Sequence, residues 1–204
     1  MGNSMQAGEG RLTLVVIGVG LIGGSFALAL RRAGRVAKVI GVGRSAANLQ
    51  RAIELGVIDE ASHSAAEAVR TADVVLVATP VGQMGRVFAD IAPHLPPHCV
   101  VTDGGSTKSD VVALMRSHLP AHLAGCVPAH PIAGSDLSGA AAAQYGLYDN
   151  RRIVVTPLPE TRPAAAALVR ELWQACGARV YEMSAAEHDA VFATVSHLPH
   201  LLAF

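Results

Sequence analysis

The stretch that most restricts what this chain can fold into is 12–25, LTLVVIGVGLIGGS. Its first six residues, Leu12 to Ile17, are nearly all apolar and rich in branched side chains, as in a strand buried on both faces. Gly18-Val19-Gly20-Leu21-Ile22-Gly23 follows, a G-x-G-x-x-G, and then FALALRR, which reads as a helix. Gly18 permits the tight turn out of the strand, Gly20 lets a pyrophosphate approach the backbone, and Gly23 lets helix and strand pack closely. The unpaired N–H groups and partial positive charge of the helix N-terminus favour the phosphates, so Gly18, Gly20, Leu21, Ile22 and Gly23 are expected at a cofactor. The motif alone is weak; its place between a strand and a helix carries the dinucleotide reading. The alternative is a glycine turn in some other α/β protein.

A chain of 204 residues, 51% apolar and 16% charged, can bury a sizeable core. Its few aromatics and many Ala, Val and Leu suit helices packed on a parallel sheet. Zero net charge and the lack of a Lys/Arg-rich run argue against nucleic acid or an anionic membrane as the main partner, and a small-molecule substrate is expected. Cys99, Cys126 and Cys176 are scattered with no C-x-x-C, which suits a reduced, cytoplasmic protein that buries them as small hydrophobes. No apolar run reaches the ~18 residues of a membrane span. The first ten residues have neither a basic patch nor an apolar core, so 1–10 is expected to be a disordered lead-in and not a signal peptide.

Further strands are expected at 36–42, 73–78, 99–102, 152–156 and 178–182. Helices are expected at 24–33, 46–55, 65–71, 84–92, 109–117 and 162–176. Alternation of this kind predicts an α/β fold: a Rossmann-type, mostly parallel sheet with helices on both faces over 11–183. At 184–204 the pattern changes. Ser184 reads as an N-cap with Glu187 at the capping-box position, and a helix is expected to start an α-helical domain there.

An acidic residue about 20 positions beyond the glycines would bind the ribose 2′-OH of NAD. Here the second strand ends in Gly41-Val42-Gly43-Arg44-Ser45, with no acid. Arg44 supplies a planar cation for a 2′-phosphate and Ser45 a further hydrogen bond, so NADP is expected in preference to NAD. The alternative leaves Arg44 a solvated loop residue. Thr79 and Pro80 follow the third long strand and are expected to flank the cofactor; an ordinary proline turn is the other reading. Asp103-Gly104-Gly105-Ser106-Thr107-Lys108 is a second strand-to-helix switch. It places Asp103 and Ser106 near the nicotinamide half, with Lys108 supporting the loop or an anion, although Ser106 would also serve as an N-cap.

His130 ends the short apolar run VPAH, with Pro131 fixing the backbone after it. Taking a proton from an alcohol as hydride leaves requires a base poised near neutral pH, which suits an imidazole aimed into the crevice.

Taken together, GVGLIGGS, DGGSTK, HPIAGSDLSGA and SHLPHLLAF resemble the prephenate/arogenate (cyclohexadienyl) dehydrogenase family of tyrosine biosynthesis, from about Leu12 to Phe204. The resemblance implies oxidation of a cyclohexadienol at C4 with hydride passing to NAD(P), loss of the ring carboxylate as CO2, and aromatisation to 4-hydroxyphenylpyruvate or tyrosine. By motif matching, His130 corresponds to the histidine that accepts the hydroxyl proton. Ser106 corresponds to the serine that bonds that hydroxyl and helps orient His130. His200 matches a substrate-contacting position. Asp136 falls where the family often carries an acid that organises the site, here one methylene shorter than Glu. Ser196 and His197 are placed with the substrate, and His188 near the site. The resemblance also implies a helical domain beyond residue 204 that forms a homodimer and supplies an arginine for a substrate carboxylate.

Two other readings compete. One is an NADP-dependent β-hydroxyacid dehydrogenase or imine reductase, although 184–204 contains no lysine for the former. The other is a non-catalytic dinucleotide-sensing domain. A zinc site at His188, His197 and His200 is disfavoured, because no H-E-x-x-H is present and Pro199 interrupts the last two.

Overall fold

The computed structural model describes residues 11–134 and 139–194. The expected lead-in at 1–10 lies outside them, as do residues 195–204 of the final segment. The chain runs β1 (Leu12–Ile17), α1 (Leu21–Arg32), β2 (Val36–Val42), α2 (Ala46–Glu54), β3 (Glu60–Ser62), α3 (Ala65–Ala68), β4 (Val74–Val77), α4 (Val81–Ile91), β5 (Val100–Asp103) and α5 (Lys108–His118). It continues with β6 (Cys126–Val127), β7 (Ala129–Pro131), β8 (Arg152–Val155), α6 (Pro163–Ala175), β9 (Arg179–Glu182) and α7 (Ala185–Phe192). Among the described residues no helix is long and apolar enough to cross a membrane.

Six strands form one parallel sheet in the order β3-β2-β1-β4-β5-β6, the doubly wound order of dinucleotide-binding folds. Because successive strand residues point to opposite faces, β1 feeds two cores. Leu14 and Val16 pack with Phe26 and Trp173 on one side. Val15 and Ile17 pack with Val75, Phe88 and Met115 on the other. A strand covered on both faces needs the near-continuous apolar run that β1 and β4 show. Cys99, Cys126 and Cys176 are all buried and reduced, as expected of small hydrophobes, and burial pushes the thiols of Cys99 and Cys126 up to about 12.

The structure departs from the expected single sheet after β6. β7, β8 and β9 form a second, three-stranded sheet in which β7 and β8 are antiparallel and β8 and β9 parallel. The break falls at Pro128. Proline has no N–H with which to continue the ladder to β5, and its carbonyl instead accepts the N–H of Thr156, at the end of β8. The second sheet shares the Phe26–Trp173 core through Ile153 and Val155. Within that core Phe26 and Tyr148 lie against the Trp173 ring at 4.4 and 5.1 Å. Two helices also begin earlier than expected: α1 at Leu21, with Gly20 at its cap, and α4 at Val81, directly after Pro80.

Candidate active site

Four strand ends and the turn of the glycine motif meet at the carboxyl edge of the parallel sheet, where such folds hold their ligands. Gly18 has φ +102°, a conformation that a side chain disfavours, and a Cβ there would lie 2.6 Å from the Ala78 carbonyl oxygen. A Cβ on Gly23 would come within 2.4 Å of the Gly18 oxygen and 2.6 Å of Val16 Cγ1, so the α1–β1 contact requires its absence. Gly20 differs: a Cβ there would meet nothing within 4 Å among the described residues. The space over Gly20 is open, at the N-cap of a helix with no acidic residue in its first turn. That cradle suits a pyrophosphate. Thr79 adds a second sign of fit, since its buried Oγ1 has no hydrogen-bond partner among the described residues.

The flanking ends fall into place around this cradle. The Gly18 N–H bonds the Val42 carbonyl at 2.9 Å, which draws the end of β2, and Arg44 and Ser45 beyond it, up to the glycine turn. Arg44 and Ser45 are both exposed; the Ser45 Oγ caps α2 by accepting from Asn48 N at 3.2 Å. Pro80 is exposed at the cap of α4. Leu21 is buried and Ile22 half-buried, and the Ile22 carbonyl accepts from the Tyr148 hydroxyl at 2.7 Å. Asn48 bridges the Val19 carbonyl at 2.8 Å and the Ala140 N–H at 2.7 Å. Sequence reasoning passed over Asn48; an asparagine in the first turn of a helix gives no sign of holding a loop elsewhere.

The loop from Asp103 to Lys108 carries the nicotinamide side. A Cβ on Gly104 would lie 3.0 Å from Ile22 Cγ2 and 3.8 Å from Pro131 Cγ, so the glycine-motif helix, this loop and the strand carrying His130 converge here. Ser106 is exposed on the loop, and Thr107, not Ser106, occupies the cap position of α5. Asp103, expected to line the cofactor, is instead fully buried with both oxygens engaged inside the protein. Oδ1 accepts from Ala129 N at 3.0 Å, and Oδ2 accepts from Gly105 N at 2.7 Å and Lys108 Nζ at 2.5 Å. Lys108 is fully buried too and also donates to the Ala129 carbonyl at 2.7 Å. Burial pulls the Lys108 ammonium down from its usual range while the Asp103 carboxylate works to raise it. This ion pair bolts the loop to the residue before His130, so of its two expected roles Lys108 fills that of loop support.

His130 lies in the middle of β7, opposite Val154, and is half-buried. Its Nδ1 is 2.8 Å from Nε2 of His188 on α7. The Nδ1 of His188 is in turn 2.7 Å from Asp189 Oδ1. Phe192, one turn after His188, stacks on that ring at 4.5 Å and meets His130 edge-on at 5.2 Å. Ser184 and Glu187 form the expected capping box at the start of α7. Asp189 has a second contact set: its carboxylate accepts the backbone N–H groups of Lys108 and Ser109, each at 2.8 Å, and so caps α5 from a distant helix. Burial works to raise the Asp189 carboxyl, but the hydrogen bonds from Ser109, Lys108 and His188 outweigh it and hold it well below the usual carboxylate range. Burial pulls the His188 imidazole down, against the pull of Asp189, which keeps it neutral. Asp136, Ser196, His197 and His200 lie outside the described residues.

The family described as "Prephenate dehydrogenase, nucleotide-binding domain" matches residues 26–182. The chain is 36% identical over 191 residues to cyclohexadienyl dehydrogenase of Zymomonas mobilis, covering 94% of this chain and 64% of that protein. It is 38% identical over 192 residues to prephenate dehydrogenase of Bacillus subtilis, covering 94% of this chain and 52% of that protein. Among solved structures, prephenate dehydrogenase from A. aeolicus in complex with hydroxyphenyl propionate and NAD+ superposes with a TM-score of 0.89 at 33% identity, covering 99% of this chain and 68% of that one. The chain thus spans between half and two thirds of the length of these curated relatives.

Proposed function

Since the chain belongs to the prephenate dehydrogenase family, an oxidoreductase family, through its nucleotide-binding domain, we propose that it carries the cofactor half and the catalytic base of an enzyme that oxidatively decarboxylates prephenate, arogenate or both. The bound dinucleotide supplies the hydride acceptor. The open cradle over Gly20 and the N-terminus of α1 hold its phosphates, and Thr79, whose hydroxyl has no partner among the described residues, flanks them. His130 takes the proton of the C4 hydroxyl, and Ser106 hydrogen-bonds that hydroxyl. Loss of CO2 is driven by aromatisation of the ring, so the protein's main task is to position acceptor, carbon and base. The product is 4-hydroxyphenylpyruvate from prephenate or tyrosine from arogenate.

The observation that carries this reading is the convergence of Gly104, Ile22 and Pro131, which brings the strand of His130 against the dinucleotide motif. Arg44 in place of an acid at the end of β2 supports a preference for NADP. In this reading a homodimer forms through the region that follows the nucleotide-binding domain. The test is reduced-dinucleotide formation by the full-length protein with prephenate and with arogenate, each with NADP and NAD. A His130→Asn variant is expected to lose about 10²- to 10⁴-fold in kcat. Undiminished turnover in that variant overturns the assignment of the base, and a clear preference for NAD overturns the role of Arg44.

A further inference from the structure

A carboxylate accepts hydrogen bonds and cannot donate them. The 2.7 Å contact between Asp189 Oδ1 and His188 Nδ1 therefore places the proton of a neutral His188 on Nδ1 and leaves its Nε2 bare. A bare nitrogen 2.8 Å from His130 Nδ1 must accept, so His130 carries its proton on Nδ1 and its lone pair on Nε2. We propose that His188, oriented by Asp189, is the positioning residue that fixes the tautomer of His130 and so determines which ring nitrogen takes the substrate proton. The inference rests on the reading of His130 as the base.

Each member of the chain is held from a second direction. The Asp189 carboxylate is pinned by the N–H groups of Lys108 and Ser109 at the start of α5. His188 is fully buried, and Phe192 stacks on its ring at 4.5 Å. His130 is fixed in β7 between Ala129, whose N–H and C=O are bound by Asp103 and Lys108, and Pro131. The charged groups facing His188 are Asp189 on its own helix, with Lys108 and Asp103 from α5 and β5. Lys108 opposes a second cation there, the two carboxylates favour one, and burial tips the balance to the neutral ring. When His130 accepts a proton at Nε2, its Nδ1–H still donates to His188, now as a charge-assisted bond. No proton has to move on to His188 or Asp189.

The experiment uses the full-length protein and compares His188→Leu, which removes the acceptor, with His188→Gln, whose amide oxygen restores one. In His188→Leu, kcat is expected to fall about 10- to 100-fold, short of the loss of the base itself. KM and dinucleotide affinity should change little. The acid limb of kcat/KM should move to lower pH, because the His130 cation loses its acceptor. His188→Gln should recover most of the rate. An independent readout is the imidazole nitrogen NMR spectrum of His130: a protonated Nδ1 and an unprotonated Nε2 in the wild type, a mixture in His188→Leu. Wild-type kcat and acid limb in His188→Leu, or an Nε2–H tautomer in the wild type, overturns the proposal. If His188→Leu does not bind dinucleotide, the wild-type spectrum and the His188→Gln profile decide. An active His130→Asn sinks the base assignment instead, while the spectrum still reports on the tautomer.

Discussion

Two of the three motif glycines make opposite predictions for the same substitution. In Gly20→Ala the added methyl meets no atom of the described residues within 4 Å, and the residue sits at φ −126°, ψ −156°, which alanine adopts freely. Loss of a glycine N-cap costs a helix about 0.5–1 kcal/mol, and stiffening the unfolded chain returns about 0.4–1 kcal/mol, so stability should barely change. The methyl does fill the open cradle, and displacing a phosphate from its N–H donors forfeits about 1.5–3 kcal/mol. Dinucleotide should bind about 10- to 150-fold more weakly. In Gly23→Ala the methyl falls 2.4 Å from a backbone oxygen and 2.6 Å from Val16, neither of which can swing aside. Overpacking of that kind costs about 1–3 kcal/mol or more, a Tm drop of about 2–4 °C per kcal/mol in a chain of this size. Thermal unfolding and a fluorescence titration with reduced dinucleotide, run on both variants, separate the two effects. A Gly20→Ala protein that melts early, or that binds dinucleotide as the wild type does, refutes the argument.

Lys108→Met leaves the Asp103 carboxylate buried without its cation and should cost about 3–5 kcal/mol, read as a lower urea midpoint at unchanged slope. Asp189 has a folded-state pKa below its unfolded value of 3.8, so its contribution is complete above that value and is lost as pH falls below it. Acid unfolding followed from pH 7 downward should therefore be shallower in Asp189→Asn, and identical acid limbs would contradict this. Tyr148→Phe leaves the Ile22 carbonyl without its 2.7 Å donor and should lower stability by about 1 kcal/mol, measured as a drop in Tm, with the fold unchanged.

The parts of this molecule legible in its sequence are those governed by neighbours in the chain. The apolar run of β1, the turn at Gly18, the close packing at Gly23 and the Ser184–Glu187 capping box each depend on residues a few positions apart, although the close approach of Ala78 to Gly18 does not. The contacts that assemble the site do not. Asp189 caps a helix some eighty positions earlier, and nothing local to either marks the pairing. Lys108 and Asp103 read as loop charges, since such residues are seldom fully buried; only the fold makes them each other's partner. Asp103 ends an apolar strand before a glycine loop, which suggests a cofactor ligand, yet the fold turns its carboxylate inward. The direction of β8 against β7 is set by pairing across the chain and leaves no trace in the periodicity of either. His130 is singled out as a candidate base by its own surroundings, whereas the ring beside it lies on a helix that begins more than fifty residues later.

Val127 and Ala129 stand on either side of Pro128, yet each pairs within a different sheet. A junction one residue long has no slack. Side chains along a strand alternate faces, so one residue added or removed here must either slip β7 against β8, which turns the imidazole to the other side of its strand, or break the hold of Asp103 and Lys108 on Ala129. A change of length at this junction is therefore expected to displace His130 from the dinucleotide motif, whether a residue is inserted or Pro128 is deleted. The tolerance of the chain to insertion falls to nothing at the position where the two sheets are spliced.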